Sequence, residues 1–486
     1  MPFDPNTGEA GMSRRRSKPG RKGAPARRGR RLPRWDLGHL YPGPASTELE
    51  ADLAWAEARS KAFAADYRGR LAGLDGRALG EAIQAYEAIS ERLEKAASYG
   101  QLLRAGDLEN PETARFGQTL QERVTDIATL TLFFTLELNR LDDATLNAQL
   151  AAPEAARYAP WLRDVRVFRP HQLADDLEKL LHEKAVAGRN AWVRLFEETL
   201  AGLRVPVGRQ RLTLERALDL LSDRRAAVRR RAAKALAQVL GRNARLLALV
   251  TNTLAKDKAI EDGWRKYERP VSMRNLANHV EDEVVEALVR SVRESYRHLS
   301  HRYYRLKARW LGVKRLAYWD RNAPLPGGGD RAYGWREARR LVLDAFGAFL
   351  PAFAEIGGRF FDGGWIDAEP RPGKDAGAFS HPVVPSAHPY ILMNFRGKAR
   401  DVMVLAHELG HGVHQVLAAR QGLLMAATPL TLAETASVFG EMTVFRALLD
   451  RERSAKARRF LLASKVEDMM NTVVRQVAFH EFETRV

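Results

Sequence analysis

Two histidines and a glutamate have the residue types and spacing with the most specific chemistry in this chain. They form His407-Glu408-Leu409-Gly410-His411, inside the run DVMVLAHELGHGVHQ at residues 401–415. On a helix, positions i and i+4 differ by about 40° around the axis, so both imidazoles leave one face. Their ring nitrogens can then share one Zn²⁺ at about 2.0–2.1 Å. Glu408 lies about 100° further round, too far for a comfortable ligand and near enough to touch a metal-bound water. Val402, Met403, Val404, Leu405 and Ala406 give the helix a buried flank, and Asp401 is read as its N-cap. A short apolar strand and a turn precede it, the context that H-E-x-x-H chemistry requires.

A catalytic zinc needs a third protein ligand. The chain has no cysteine, which leaves histidine or a carboxylate. His414 shares the histidine face, but the rise from His407 is about 10 Å, so it is expected to pack beside the site or in the core. Downstream, TPLTLAETASVFGEM (residues 428–442) reads as a second helix, with Thr428 and Pro429 as N-cap and N1. Glu434 sits among Leu432, Ala433, Ala436 and Val438, and a carboxylate on such an apolar face must be paired or bound to metal. The competing assignment is a capping box, Thr431-x-x-Glu434. Glu441, seven residues on, is a rival ligand or the partner of a histidine's free N–H. Spacing alone leaves these alternatives open.

The elements that must hold these residues are mostly helices. Apolar residues recur at 3- and 4-residue spacing over 51–65, 79–103, 111–141, 173–187, 191–203, 217–221, 223–257 (Ser222 as N-cap), 281–311, 335–358 and 455–483. The fold class expected is mostly α, built of interlocking long helices. Glycine and proline crowd residues 324–398, and PYILMNFR at 389–396 reads as a strand. A small β-sheet is therefore expected next to the zinc-binding helix. No internal repeat supports a solenoid.

Composition bounds the remaining possibilities. The 486 residues are 45% hydrophobic and 28% charged, as in a globular protein, and no stretch is apolar enough for a membrane span. The absence of cysteine removes disulfide scaffolds and thiolate sites and fits a reducing, cytoplasmic setting. Net charge is +18, and half of it lies in residues 1–34, where eleven Lys and Arg face Asp4 and Glu9. This segment is read as a disordered basic tail, too poor in apolar side chains to fold. It lacks the apolar stretch of an export signal and the amphipathic pattern of a presequence. With no recognition module behind it, no specific nucleic-acid partner is expected. No phosphate-binding G-x-x-x-x-G-K-[ST] or nucleophile elbow G-x-S-x-G occurs, and Gly327-Gly328-Gly329 reads as a plain loop.

HELGHGVHQ, with LAETASVFGE placing Glu434 23 residues after His411, resembles the oligoendopeptidase F family of thimet-oligopeptidase-like zinc metallopeptidases. WDLGHLY from Trp35, WIDAEPRPGKDAGAFS from Trp365, HPYILMNF from His388 and RQVAFHEFE from Arg475 resemble family segments in the expected order. The resemblance implies one Zn²⁺ per chain with His407, His411 and Glu434 as ligands and Glu408 as general base. It implies a long-helix bundle enclosing a deep cleft, with an N-terminal helical domain at 35–190 and a catalytic domain at 191–486 flanking it, and oligopeptide substrates. GAFS and PYILMNF would form the sheet beside the zinc, to whose edge an extended peptide can add.

The activity expected is zinc-dependent endopeptidase cleavage of short peptides, with Glu408 taking the proton of a metal-bound water. Family members usually continue for about a hundred residues with tyrosines and a histidine that bind the oxyanion. Such donors are typically worth about 10²–10³ in rate. The chain stops at Val486 inside a helical pattern, so a truncated catalytic domain is expected. Two alternatives follow: a zinc carboxypeptidase of similar helical fold, or a catalytically impaired peptide-binding remnant. Oligomeric state is not indicated.

Overall fold

The structure, a computed structural model, describes residues 32–326 and 331–486. Residues 1–31 of the expected tail and the Gly327–Gly329 loop lie outside the described residues. Leu32 packs against a core, the Pro33 carbonyl accepts from Ala368 N (2.9 Å), and Arg34 pairs with Glu369.

Leu32–Val486 form one compact unit, mostly α with two small sheets. Three apolar clusters hold it. The first runs through the helices between Leu40 and Leu162 and takes in Val383, Val384 and Tyr390. The second spans Tyr333 to Leu448 and contains the flank of the H-E-x-x-H helix, including Val402, Leu405, Ala406 and Leu409. The third is small, built of Leu203, Val205, Ala217, Ala235, Leu236 and Val239.

Several long helical stretches are divided where polar side chains or proline compete with the backbone. The stretch 111–141 gives Pro111–Thr129 and Leu132–Arg140. Around the break, hydroxyls of Thr125, Thr129, Thr131 and Thr135 donate to carbonyls three or four residues back, bonding that bends helices. The stretch 223–257 divides at Asn243, whose Nδ2 donates to Val239 O (2.9 Å), into Ala226–Arg242 and Ala244–Trp264. Ser222 does not cap it; Asp223 Oδ1 instead accepts from Arg225 N (2.8 Å). The stretch 335–358 divides before Pro351, which opens Pro351–Asp362.

A hairpin not anticipated from the sequence pairs β1 (Arg204–Val207) with β2 (Gln210–Thr213) across Gly208, at φ 65°. The second sheet has the order β3-β5-β4, with β3 (Ile366–Asp367) parallel and β4 (Phe379–His381) antiparallel to β5 (Tyr390–Leu392). The Lys374 ammonium, fully enclosed, ties it together by donating to Asp367 Oδ1 (2.7 Å), Asp367 O (3.0 Å), Glu369 O (3.2 Å) and Met393 O (2.7 Å). Ile391 N donates to Trp365 O (2.9 Å) on the β3 side. Ser380, opposite Ile391, therefore turns its own main chain to the outer edge.

Candidate metal centre

The motif helix, Ala399–Ala418, starts earlier than expected. Lys398 is its N-cap and Asp401 stands at N3, where its Oδ2 accepts from Lys398 N (3.0 Å) and Arg396 N (2.7 Å). The carboxylate satisfies orphan donors of the first turn from within it. The carboxylate helix, Leu430–Arg451, has Pro429 at its N-cap and no side-chain cap bond, so Thr428 does not cap it. Thr431 Oγ1 donates to Asn278 O (2.6 Å) instead of closing a capping box with Glu434.

These two helices approach with no side chain between them at two points. A Cβ on Gly410 would stand 2.6 Å from Ala436 O and 2.7 Å from Ser437 Cα. One on Gly440 would stand 3.0 Å from Ala406 O. At Gly410 only glycine lets the carboxylate helix lie this close to the histidine face, and Gly440 makes a second tight approach.

The approach brings His407, His411 and Glu434 together, with one ligand atom from each all within 4.8 Å of one another. Glu434 Oε2 lies 3.1 Å from His407 Nε2 and 3.3 Å from His411 Nε2. Two ligands held by one tetrahedral zinc at about 2.0–2.1 Å stand about 3.3–3.4 Å apart. Donor set and spacing therefore fit a zinc ion. Ser437 Oγ donates to Glu434 Oε2 (2.6 Å) and fixes the carboxylate. Glu434 is not on a buried face: its side chain is 60% exposed, and Leu432 and Val438 beside it are exposed too.

Glu441 lies on the other edge of the His407 ring, with Oε2 3.3 Å from Nδ1. Its Oε1 accepts from Lys465 Nζ (2.6 Å). With Nδ1–H donated to Glu441, Nε2 faces Glu434, the arrangement in which a carboxylate orients a metal-binding imidazole. His414 is half-buried and outside the three-residue group.

Charge in the cluster is strongly coupled. Burial pulls the His407 pKa down, but hydrogen bonds to Glu434 and Glu441 outweigh it and carry it up to about 10. Bonds from His407, His411 and Ser437 hold Glu434 far below the ordinary carboxylate range. Burial raises Glu441, and His407 and Lys465 overcome this to leave it lowered. Glu408 is 6% exposed; burial pushes its carboxyl up to about 7, against the pull of the two histidines. A carboxyl poised there suits acid–base work near neutrality.

Against known proteins, residues 349–486 match the profile of peptidase family M3 and residues 137–204 that of oligopeptidase F. Oligopeptidase PepF of Bacillus subtilis is 24% identical over 465 residues, covering 90% of this chain and 69% of the relative. An oligoendopeptidase F homolog of Borreliella burgdorferi is 24% identical over 408 residues, covering 83% of this chain and 69% of the relative. The crystal structure of oligoendopeptidase-F from Enterococcus faecium superposes with a TM-score of 0.64 at 21% identity, covering 90% of this chain and 72% of that one.

Over these segments the chain is similar to peptidase family M3 and to oligopeptidase F. The M3 match and these relatives indicate a metalloendopeptidase, and the M3 match contains all four residues of the motif pair, His407, Glu408, His411 and Glu434. Among the side chains of this site, Ser437, Lys465 and the Gln415–Ser380 pair were not singled out from sequence. Ser437 lies three residues from Glu434, a spacing that predicts contact. Gln415 lies one turn after His411 on the same stripe; its Nε2 donates to Ser380 O (3.0 Å), and Ser380 Oγ donates back to its Oε1 (2.7 Å). Lys465 carried no local signal, because its partner is on another helix.

Proposed function

We propose that the chain is a zinc-dependent oligopeptidase that cleaves short peptides internally, with His407, His411 and Glu434 as metal ligands and Glu408 as general base. The observation that carries this is the convergence of one nitrogen from each histidine and one Glu434 oxygen on a common point. A zinc ion held there supplies a Lewis acid that polarises the scissile carbonyl and activates water. Glu408, buried beside the histidines, accepts the proton of the attacking water and returns it to the leaving amine. Glu441 holds the Nδ1 edge of His407, and Ser437 steadies Glu434. No covalent intermediate is required.

Residues 35–190 are proposed as the N-terminal helical domain and 191–486 as the catalytic one. The compartment proposed is the cytoplasm, from the lack of cysteine; no helix among the described residues is long and apolar enough to cross a membrane.

The test is metal content measured together with cleavage of an internally quenched peptide blocked at both ends. Glu408→Gln should keep zinc and lose about 10²–10⁴ in kcat; an unchanged rate removes Glu408 from the mechanism. Glu434→Ala should release zinc. A cut at the C-terminal residue of an unblocked peptide alone, with the blocked one intact, would favour a carboxypeptidase. Zinc bound with no cleavage of either would favour a peptide-binding remnant.

A further inference from the structure

Three helices meet behind the His407 ring: the motif helix, the carboxylate helix and the lysine helix, Ala455–Met470. They are joined there by two bonds in series, Lys465 Nζ to Glu441 Oε1 at 2.6 Å and Glu441 Oε2 to His407 Nδ1 at 3.3 Å. The Lys465 and Glu441 side chains are 11% and 16% exposed, and the ammonium also lies 6.0 Å from the centre of the Phe445 ring. Asp468, Glu467 and Arg400 belong to the same charge network. The pair is thus shielded from water, where a charge-assisted bond keeps much of its strength.

We infer that Lys465 is a positioning residue for the metal ion, acting through Glu441 on His407. This rests on the zinc site proposed above. The carboxylate helix presents two glutamates to one imidazole: Glu434 to Nε2 and Glu441 to Nδ1. Nothing in the carboxylates themselves distinguishes a ligand from an orienting group. Lys465 does so by engaging Glu441 Oε1, which leaves Oε2 to hold Nδ1–H. The ring is then fixed with Nε2 toward Glu434. Without the ammonium, a shielded carboxylate loses its counter-charge and is free to turn out to solvent or toward the ion, and the His407 ring loses its fixed orientation.

The experiment measures zinc affinity by competition with a chromophoric chelator, on the full chain, with unfolding of each metal-free variant recorded alongside. Groups that orient a ligand typically contribute about 10–100-fold in metal affinity, so Lys465→Met should weaken zinc binding about tenfold. Lys465→Arg, which keeps charge and donors, should restore most of the loss. Glu441→Gln should weaken binding at least as much, and the Lys465→Met/Glu441→Gln double variant no more than Glu441→Gln alone, because Lys465 acts only through that carboxylate. Zinc affinity unchanged in Lys465→Met, or losses that simply add in the double variant, would overturn the inference, whatever happens to the unfolding temperature. A wild-type chain that takes up no zinc would instead remove the metal site on which the inference stands.

Discussion

Glu408 and Glu434 are both carboxylates of one cluster, yet their surroundings drive them in opposite directions. Glu408, buried, keeps its proton to about pH 7 against an ordinary value of 4.5. Between those values the metal-free folded chain holds a proton that the unfolded chain has lost, so stability falls as pH rises through that window. At about 1.36 kcal/mol per pH unit the loss is of the order of 3 kcal/mol. Metal-free Glu408→Gln should therefore melt above wild type at pH 8, with the gap closing by pH 4; equal melting at both would show a solvated, ionised carboxylate. His407 has the reverse consequence for metal. Its proton, held to about pH 10 by Glu434 and Glu441, must leave when zinc binds, so affinity should rise about tenfold per pH unit below that value. Calorimetry at pH 7 in two buffers of different ionisation enthalpy should read about one proton released, and none would show a neutral ring. At this scale His407, Glu408 and His411 were legible because the helix alone sets their spacing. The choice between Glu434 and Glu441 was not, since it depends on where another helix lies.

Between helices, the decisive feature is the contact at Gly410. Alanine there would favour an isolated helix by about 1 kcal/mol, but its Cβ would sit inside contact distance of Ala436 O and Ser437 Cα. Backbone cannot yield as a flexible side chain does, and overpacking costs about 1–3 kcal/mol. Gly410→Ala should lower both the unfolding temperature and zinc affinity, the latter because Glu434 is carried away from the histidines. A variant more stable than wild type with zinc affinity unchanged would show that the helices do not depend on this approach. The positions of helices were readable from apolar spacing, and their ends less so. Asn243 and the threonines around Thr131 interrupt runs whose apolar pattern continues across the break. The β1–β2 hairpin was passed over because its strands are four residues each, and Arg204, Arg209 and Arg211 dilute the alternation.

Across the molecule, the small sheet joins the first two apolar clusters, with Tyr390 in one and Ile391 in the other. Lys374 holds that junction from inside, bonded to residues before β4 and after β5. Lys374→Met should cost about 3–5 kcal/mol in urea unfolding, nearer the lower figure because Arg371 still binds both Asp367 oxygens. A loss under 1 kcal/mol would mean that Arg371 alone suffices. The sequence exposed the sheet's existence through its glycine and proline density, whereas a buried lysine that organises it carries no periodic signature.

Ser380 has one further effect. It is the residue of β4 whose main chain faces outward, and its carbonyl is already taken by an amide one turn past His411. Any extended chain lying along β4 would find a ladder with one rung removed, and that gap is tied to the histidine stripe. The outer edge of β4 is thereby coupled, through Gln415, to the helix that carries both imidazoles.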